Sequence, residues 1–343
     1  MNKIAEVIEG KRRFAVFPIV CVDHGARLLR MDLAEVVGNG EKIAQVLECA
    51  YKTYNYDMVL VFSDPYVEAQ AMGCPVEFAP YPRLLTKNNP PITLSSKGGV
   101  RADSKGEQSP CIPLWKRGSE GDLETYSVER IDRTSEIIKA ARLLQKRIDV
   151  PIFVSIKGPF SLAAFLAGIE NFLKMLLIND KEARNFIDRA IEFQVRYLER
   201  LLSLSVNIFI GDPMASTSVV SPELFNKFAY EPLRILIEKV KDCELIVGLH
   251  ICGETKPIIP ILDNLGADIL SIEDISLPTR TLKMGGVSTT TIFSGTQTEI
   301  KAEVTKALSQ PHLILATSCD VPPETNQKNI KTMIESAYAF SEN

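Results

Sequence analysis

The chain has 343 residues, 45% hydrophobic and 24% charged, with a formal net charge of −4. That composition is ordinary for a soluble globular protein, and its mild acidity argues against nucleic acid or an anionic membrane as partner. No apolar stretch approaches the ~18 residues of a membrane span, and residues 1–13 lack an apolar signal core, so a cytoplasmic protein is expected.

Short apolar runs alternate with longer amphipathic segments along the chain. The runs fall at 14–20, 58–62, 152–156, 208–210, 245–249, 269–272, 291–293 and 313–316. Helix-like segments fall at 40–54, 135–147, 180–204, 222–240, 255–265, 298–308 and 324–340. Strand alternating with helix implies parallel pairing, and eight candidate strands imply closure into a (β/α)8 TIM barrel, one domain over 1–343. Ser221-Pro222-Glu223 reads as a helix start, with Ser as cap and Pro in the first turn. Residues 81–125, after the second strand, break the rhythm. They are rich in Pro, Gly, Ser and Lys, hold the only tryptophan, Trp115, and read as an irregular insertion, either a mobile loop without a role or a flap over the barrel mouth.

In barrel enzymes, reactive groups gather at the C-terminal ends of the strands. In strand order the polar residues there are Asp23-His24, Ser63-Asp64, Lys157, Asp212, His250 with Cys252, Glu273-Asp274, Ser294 and Cys319-Asp320. Metal-ligand types concentrate on the fifth, sixth and eighth strands. In His250-Ile251-Cys252-Gly253 the first and third residues point to one side of an extended chain, so both can face one metal. Cys319 adds a second thiolate. The seven cysteines form no spaced disulfide framework, and reduced thiols are ligands, nucleophiles or core residues.

Imidazole plus two thiolates is a soft set that selects zinc and leaves a fourth position to exchange. Glu273, on the next strand end, is the favoured fourth ligand; Glu254 is a rival that a turn would have to bring round. A zinc ion there could activate water, or hold an incoming thiol as its thiolate. Two thiolate ligands push electron density onto the metal, which weakens it as a Lewis acid and leaves a bound thiolate nucleophilic. Thiol alkylation therefore fits the ligand set better than hydrolysis. Asp64 and Asp212, as acids at strand-to-helix junctions, either cap turns or line the pocket as catalytic residues that orient a substrate. Asp23-His24-Gly25 does not match the D-x-H-x-x-G cobalamin signature, so His24 reads as a polar residue at the mouth, and His312 as structural. There is no Walker loop, G-x-G-x-x-G, G-x-S-x-G or H-E-x-x-H, and Lys97-Gly98-Gly99-Val100-Arg101 lacks the setting of a phosphate loop.

Further segments extend the pattern. They are Phe62-Ser63-Asp64 with Gln70-Ala71-Met72-Gly73, then Gly211-Asp212-Pro213-Met214-Ala215-Ser216 followed by Val220-Ser221-Pro222. Leu249-His250-Ile251-Cys252-Gly253, Gly266-Ala267-Asp268-Ile269-Leu270-Ser271-Ile272-Glu273 and Ser318-Cys319-Asp320-Val321-Pro322-Pro323-Glu324-Thr325 complete it. With these, over nearly its full length, the chain resembles the uroporphyrinogen decarboxylase superfamily, and within it the methylcobamide:coenzyme M methyltransferase branch of methanogens. The resemblance implies zinc held by His250, Cys252 and Cys319, with Glu273 as the exchangeable ligand. It also implies methyl transfer to a thiol such as coenzyme M from a methylated corrinoid (methylcobalamin-type) carried by a partner corrinoid protein. The decarboxylases carry an R-Q-A-G-R-Y signature near the N-terminus, and residues 17–27 here lack its paired arginines. A metal-free decarboxylase-like enzyme, and a non-catalytic zinc barrel that docks a corrinoid protein, are the alternatives. Insertion 81–125 departs from the coenzyme M enzymes.

Overall fold

The computed structural model describes residues 2–78, 81–85 and 132–340. Eight parallel strands follow one another around a barrel: β1 (Phe14–Phe17), β2 (Val59–Val61), β3 (Ile152–Lys157), β4 (Asn207–Gly211), β5 (Val247–His250), β6 (Ile269–Ser271), β7 (Leu282–Val287) and β8 (Leu313–Thr317). The ladder runs β1-β8-β7-β6-β5-β4-β3-β2, so from β2 to β8 each strand pairs with the next in sequence, and β1 pairs with β8. This is the expected (β/α)8 barrel. β1 and β2 share no ladder, and Asp57 bridges their seam instead. Its N–H donates to Val16 O (2.9 Å), while its carboxylate accepts from Val16 N (2.7 Å), Lys3 Nζ (2.6 Å) and Tyr338 Oη (2.9 Å).

The strands are short, apolar and β-branched, as buried parallel strands must be. Helices pack outside them, and their ends carry the residues that local chemistry requires. Asn39 caps Gly40–Tyr54, Ser221 caps Pro222–Phe228, and Thr296 with Glu299 closes a capping box on Gln297–Leu308. The predicted helix at 222–240 breaks at Ala229, and 255–265 forms only a short turn followed by Ile259–Leu262. Among the described residues no single helix is long and apolar enough to cross a membrane.

One strand expectation is overturned. Residues 291–293 lie in the helix Thr289–Ser294, capped by Ser288, and the seventh strand is β7, Leu282–Val287. The β-branched run Thr289-Thr290-Thr291-Ile292 looks like a strand, whereas β7 contains Gly285 and Gly286 and looks like a turn. Tertiary packing reverses both preferences: a Cβ on Gly285 would lie 2.7 Å from Ile272 O. Ser294 therefore ends a helix rather than a strand, and its hydroxyl donates to Thr290 O. Of the insertion expected at 81–125, only 81–85 are described; Trp115 and Lys97 to Arg101 lie outside the described residues.

Candidate metal centre

Strand alternation decides which side chains reach the barrel interior. In the register of β3, β4 and β5, Ser155 pairs with Phe209 and Phe209 with Gly248; two residues further on, Lys157 pairs with Gly211 and Gly211 with His250. These residues share one face. Gly248 is required there, because a Cβ would lie 2.4 Å from the Phe209 ring. Cys319 follows β8, three strands away from β5 in the ladder, yet it meets His250 and Cys252. Only the barrel interior allows that contact, so the shared face is the inner one.

At the mouth, the candidate ligand atoms of His250, Cys252 and Cys319 all lie within 4.8 Å of one another. All three residues are half-buried. Ser271, paired with His250 in the β5–β6 register, has its hydroxyl 3.0 Å from His250 Nδ1. That contact orients the ring and leaves Nε2 as the nitrogen facing the thiols. After Cys252 the chain turns through Gly253 at φ +75°, and the Gly253 N–H donates to Glu273 Oε1 (2.6 Å). The same oxygen lies 3.4 Å from Cys252 Sγ. Ser218 Oγ accepts from Glu254 N (2.9 Å), and Thr217 N donates to Glu254 O (3.1 Å), which fastens this turn to the loop after β4. On the opposite side, Ser318 N donates to Val287 O (2.8 Å) and fixes the loop that carries Cys319.

The electrostatics divide the two thiols. Hydrogen bonds from Cys319 and His250 hold the Cys252 thiol well below its ordinary range. Cys319 is pushed up, first by donating to Cys252, then by burial and by Asp320, whose Oδ1 lies 2.9 Å from its sulphur. Metal binding to such a pair displaces the remaining thiol proton. The donor set, its convergence and the oriented imidazole all fit zinc.

Sequence reasoning set His250, Cys252, Cys319 and Glu273 at one site; the structure brings the first three together, while Glu273 reaches Cys252 and Gly253 N without joining that mutual cluster. Glu254 is not: its Oε1 accepts from Lys256 N within its own turn (2.7 Å). The two pocket aspartates are engaged elsewhere. Asp64 pairs with buried Arg133 and accepts from Tyr66 N (3.0 Å) and Ser63 Oγ (3.0 Å). Asp212, fully buried, accepts from Ser161 N (2.7 Å), Ser161 Oγ (2.5 Å) and Phe160 N (3.3 Å) at the start of helix Pro159–Ala167. Burial pushes its carboxyl up to about 6, against those bonds. His24 lies in helix Val22–Leu29, which follows β1, with Tyr54 Oη 2.8 Å from Nε2 and Pro323 O, in the segment after β8, 3.1 Å from Nδ1. Ser271 was missed, although its spacing of two from Glu273 already placed both on one face of β6 and its extension.

The family model described as "Uroporphyrinogen decarboxylase (URO-D)" matches residues 6–114 and 92–340. The chain is 23% identical over 341 residues to "Methylcobamide:CoM methyltransferase MtbA" of Methanosarcina mazei, covering 94% of this chain and 93% of that protein. It is 24% identical over 312 residues to "Methylcobamide:CoM methyltransferase MtaA" of Methanosarcina barkeri (strain Fusaro), covering 86% and 84%. A solved structure described as "methyltransferase from Methanosarcina mazei" superposes with a TM-score of 0.77 at 23% identity, over 99% of this chain and 98% of that one. That likeness supports the barrel fold.

Proposed function

The chain belongs to the uroporphyrinogen decarboxylase family, and from that premise we propose that it is a zinc-dependent methyltransferase of the methylcobamide:thiol type. It moves a methyl group from a methylated corrinoid, presented by a partner corrinoid protein at the barrel mouth, to a thiol such as coenzyme M. The observation that carries the reading is the convergence of His250, Cys252 and Cys319 at the inner end of the barrel. The names of the full-length relatives support the reaction class.

Zinc held by these three residues supplies one thing: it keeps an acceptor thiol ionised at neutral pH while leaving its sulphur nucleophilic. The residues of this chain do the rest. Ser271 orients the His250 imidazole. Glu273, beside Cys252 and held by the Gly253 N–H, would be the carboxylate that yields its place to the acceptor sulphur. The cobalt of the corrinoid keeps the electron pair of the cobalt–carbon bond, and the methyl carbon passes to the acceptor sulphur. Asp212 and Asp64 act by fixing the loops around the mouth.

The test is methyl transfer from methylcobalamin to 2-mercaptoethanesulfonate, followed by the loss of the methylcobalamin absorbance. Zinc-loaded protein should turn over, chelator-stripped protein should not, and zinc should restore the rate. Turnover that is indifferent to stripping would overturn the reading. Replacing Ser271 by Ala should leave the fold intact and weaken zinc binding by about 10–100-fold, measured by competition with a chromophoric chelator. An unchanged affinity would remove Ser271 from the metal's supporting shell.

A further inference from the structure

Lys157 closes β3 and is only 7% exposed. It stands in the same register row as His250, with Gly211 between them. Two strand spacings separate the lysine and histidine backbones, about 10 Å. Among the described residues no carboxylate lies within ion-pair distance of its ammonium, which sits 5.6 Å from the centre of the Phe62 ring. A buried ammonium without a partner is costly, and such groups are retained where a ligand completes them. Burial pulls the Lys157 ammonium down, and Glu68, Asp212, Asp320 and Cys319 oppose that pull.

Gly211 gives the second observation. A Cβ placed there would meet nothing within 4 Å, and no left-handed backbone explains the glycine. Close packing fills most interior positions of a barrel, so open space on the inner face between a metal-ligand histidine and an unpartnered lysine is a cradle. We propose that Gly211 and Lys157 form the tail subsite for the acceptor: the chain of a short thiol lies across Gly211 and its anionic end is paired by Lys157. The inference rests on the acceptor-thiol reading above and names the residues that choose among thiols. It selects compact acceptors whose thiol and anionic group are a few bonds apart, and it disfavours neutral thiols of equal length, which leave the ammonium unpaired.

Calorimetric titration of zinc-loaded protein tests this, with 2-mercaptoethanesulfonate, 3-mercaptopropionate and 2-mercaptoethanol as probes. Wild type should prefer the two anionic thiols. In Lys157→Met that preference should fall by about 10–100-fold, the worth of a charged hydrogen bond, and Lys157→Arg should recover part of it. In Gly211→Val all three thiols should weaken while zinc content, read by elemental analysis, stays at the wild-type level. Because the readout is a ratio between ligands, partial misfolding of a variant cancels. Thiols that bind wild type and Lys157→Met with the same preference would overturn the tail subsite alone. Zinc-loaded wild type that binds no thiol would overturn the acceptor reading and the subsite with it.

Discussion

Replacing Cys319 by Ser should abolish zinc retention. The wild type should carry about one zinc per chain, and the variant should bind it at least about a thousandfold more weakly, because a thiolate ligand of a soft site is lost. The alcohol of serine does not ionise at neutral pH, so the fixed ligands fall to His250 and Cys252 on one strand end, with only the exchangeable Glu273 beside them. Cys243, exposed on the surface, provides the control: its serine variant should keep zinc. Elemental analysis of the three proteins, purified without chelator, decides the matter. Full zinc in Cys319→Ser would show that the metal centre lies elsewhere.

Much of this centre was legible from spacing, because a strand imposes a period of two and barrel ends gather chemistry. His250 and Cys252 are two apart, and Glu273 and Ser271 are two apart on the neighbouring strand. What could not be read was distance in the third dimension. The sequence set Glu254 beside Cys252, but the turn at Gly253 sends it away and brings Glu273 in. Asp64 and Asp212 look like pocket residues because each follows a strand, the place where catalytic acids stand. Their partners lie 69 and 51 positions away or less, at Arg133 and Ser161, and nothing in local pattern announces such pairs. The misplaced seventh strand has the same origin: a β-branched run took the helical state because Ser288 capped it, and a glycine pair took the strand because only glycine fits against Ile272.

Replacing Asp64 by Asn should destabilise the fold by about 3–5 kcal/mol, the cost of leaving a buried charge without its partner. Arg133 is 2% exposed, and its remaining contacts are neutral: Nη1 donates to Gln70 Oε1 (3.0 Å), Nε to Val37 O (3.2 Å), and the guanidinium lies 4.9 Å from the centre of the Phe78 ring. Burial already lowers its pKa to about 10, so the ion is held at a desolvation cost that the carboxylate offsets. The pair ties the loop after β2 to the first turn of helix Arg133–Leu144. Urea unfolding of Asp64→Asn should show a lower midpoint at an unchanged slope, with zinc content preserved in the folded fraction. Substituting both partners, Asp64→Leu with Arg133→Met, should recover most of the loss, because no charge is then stranded. A single variant with wild-type stability and abolished methyl transfer would return Asp64 to the chemistry. Destabilisation that the double variant repairs, with turnover per folded molecule close to wild type, makes it a brace that holds the mouth of the barrel in shape around the metal.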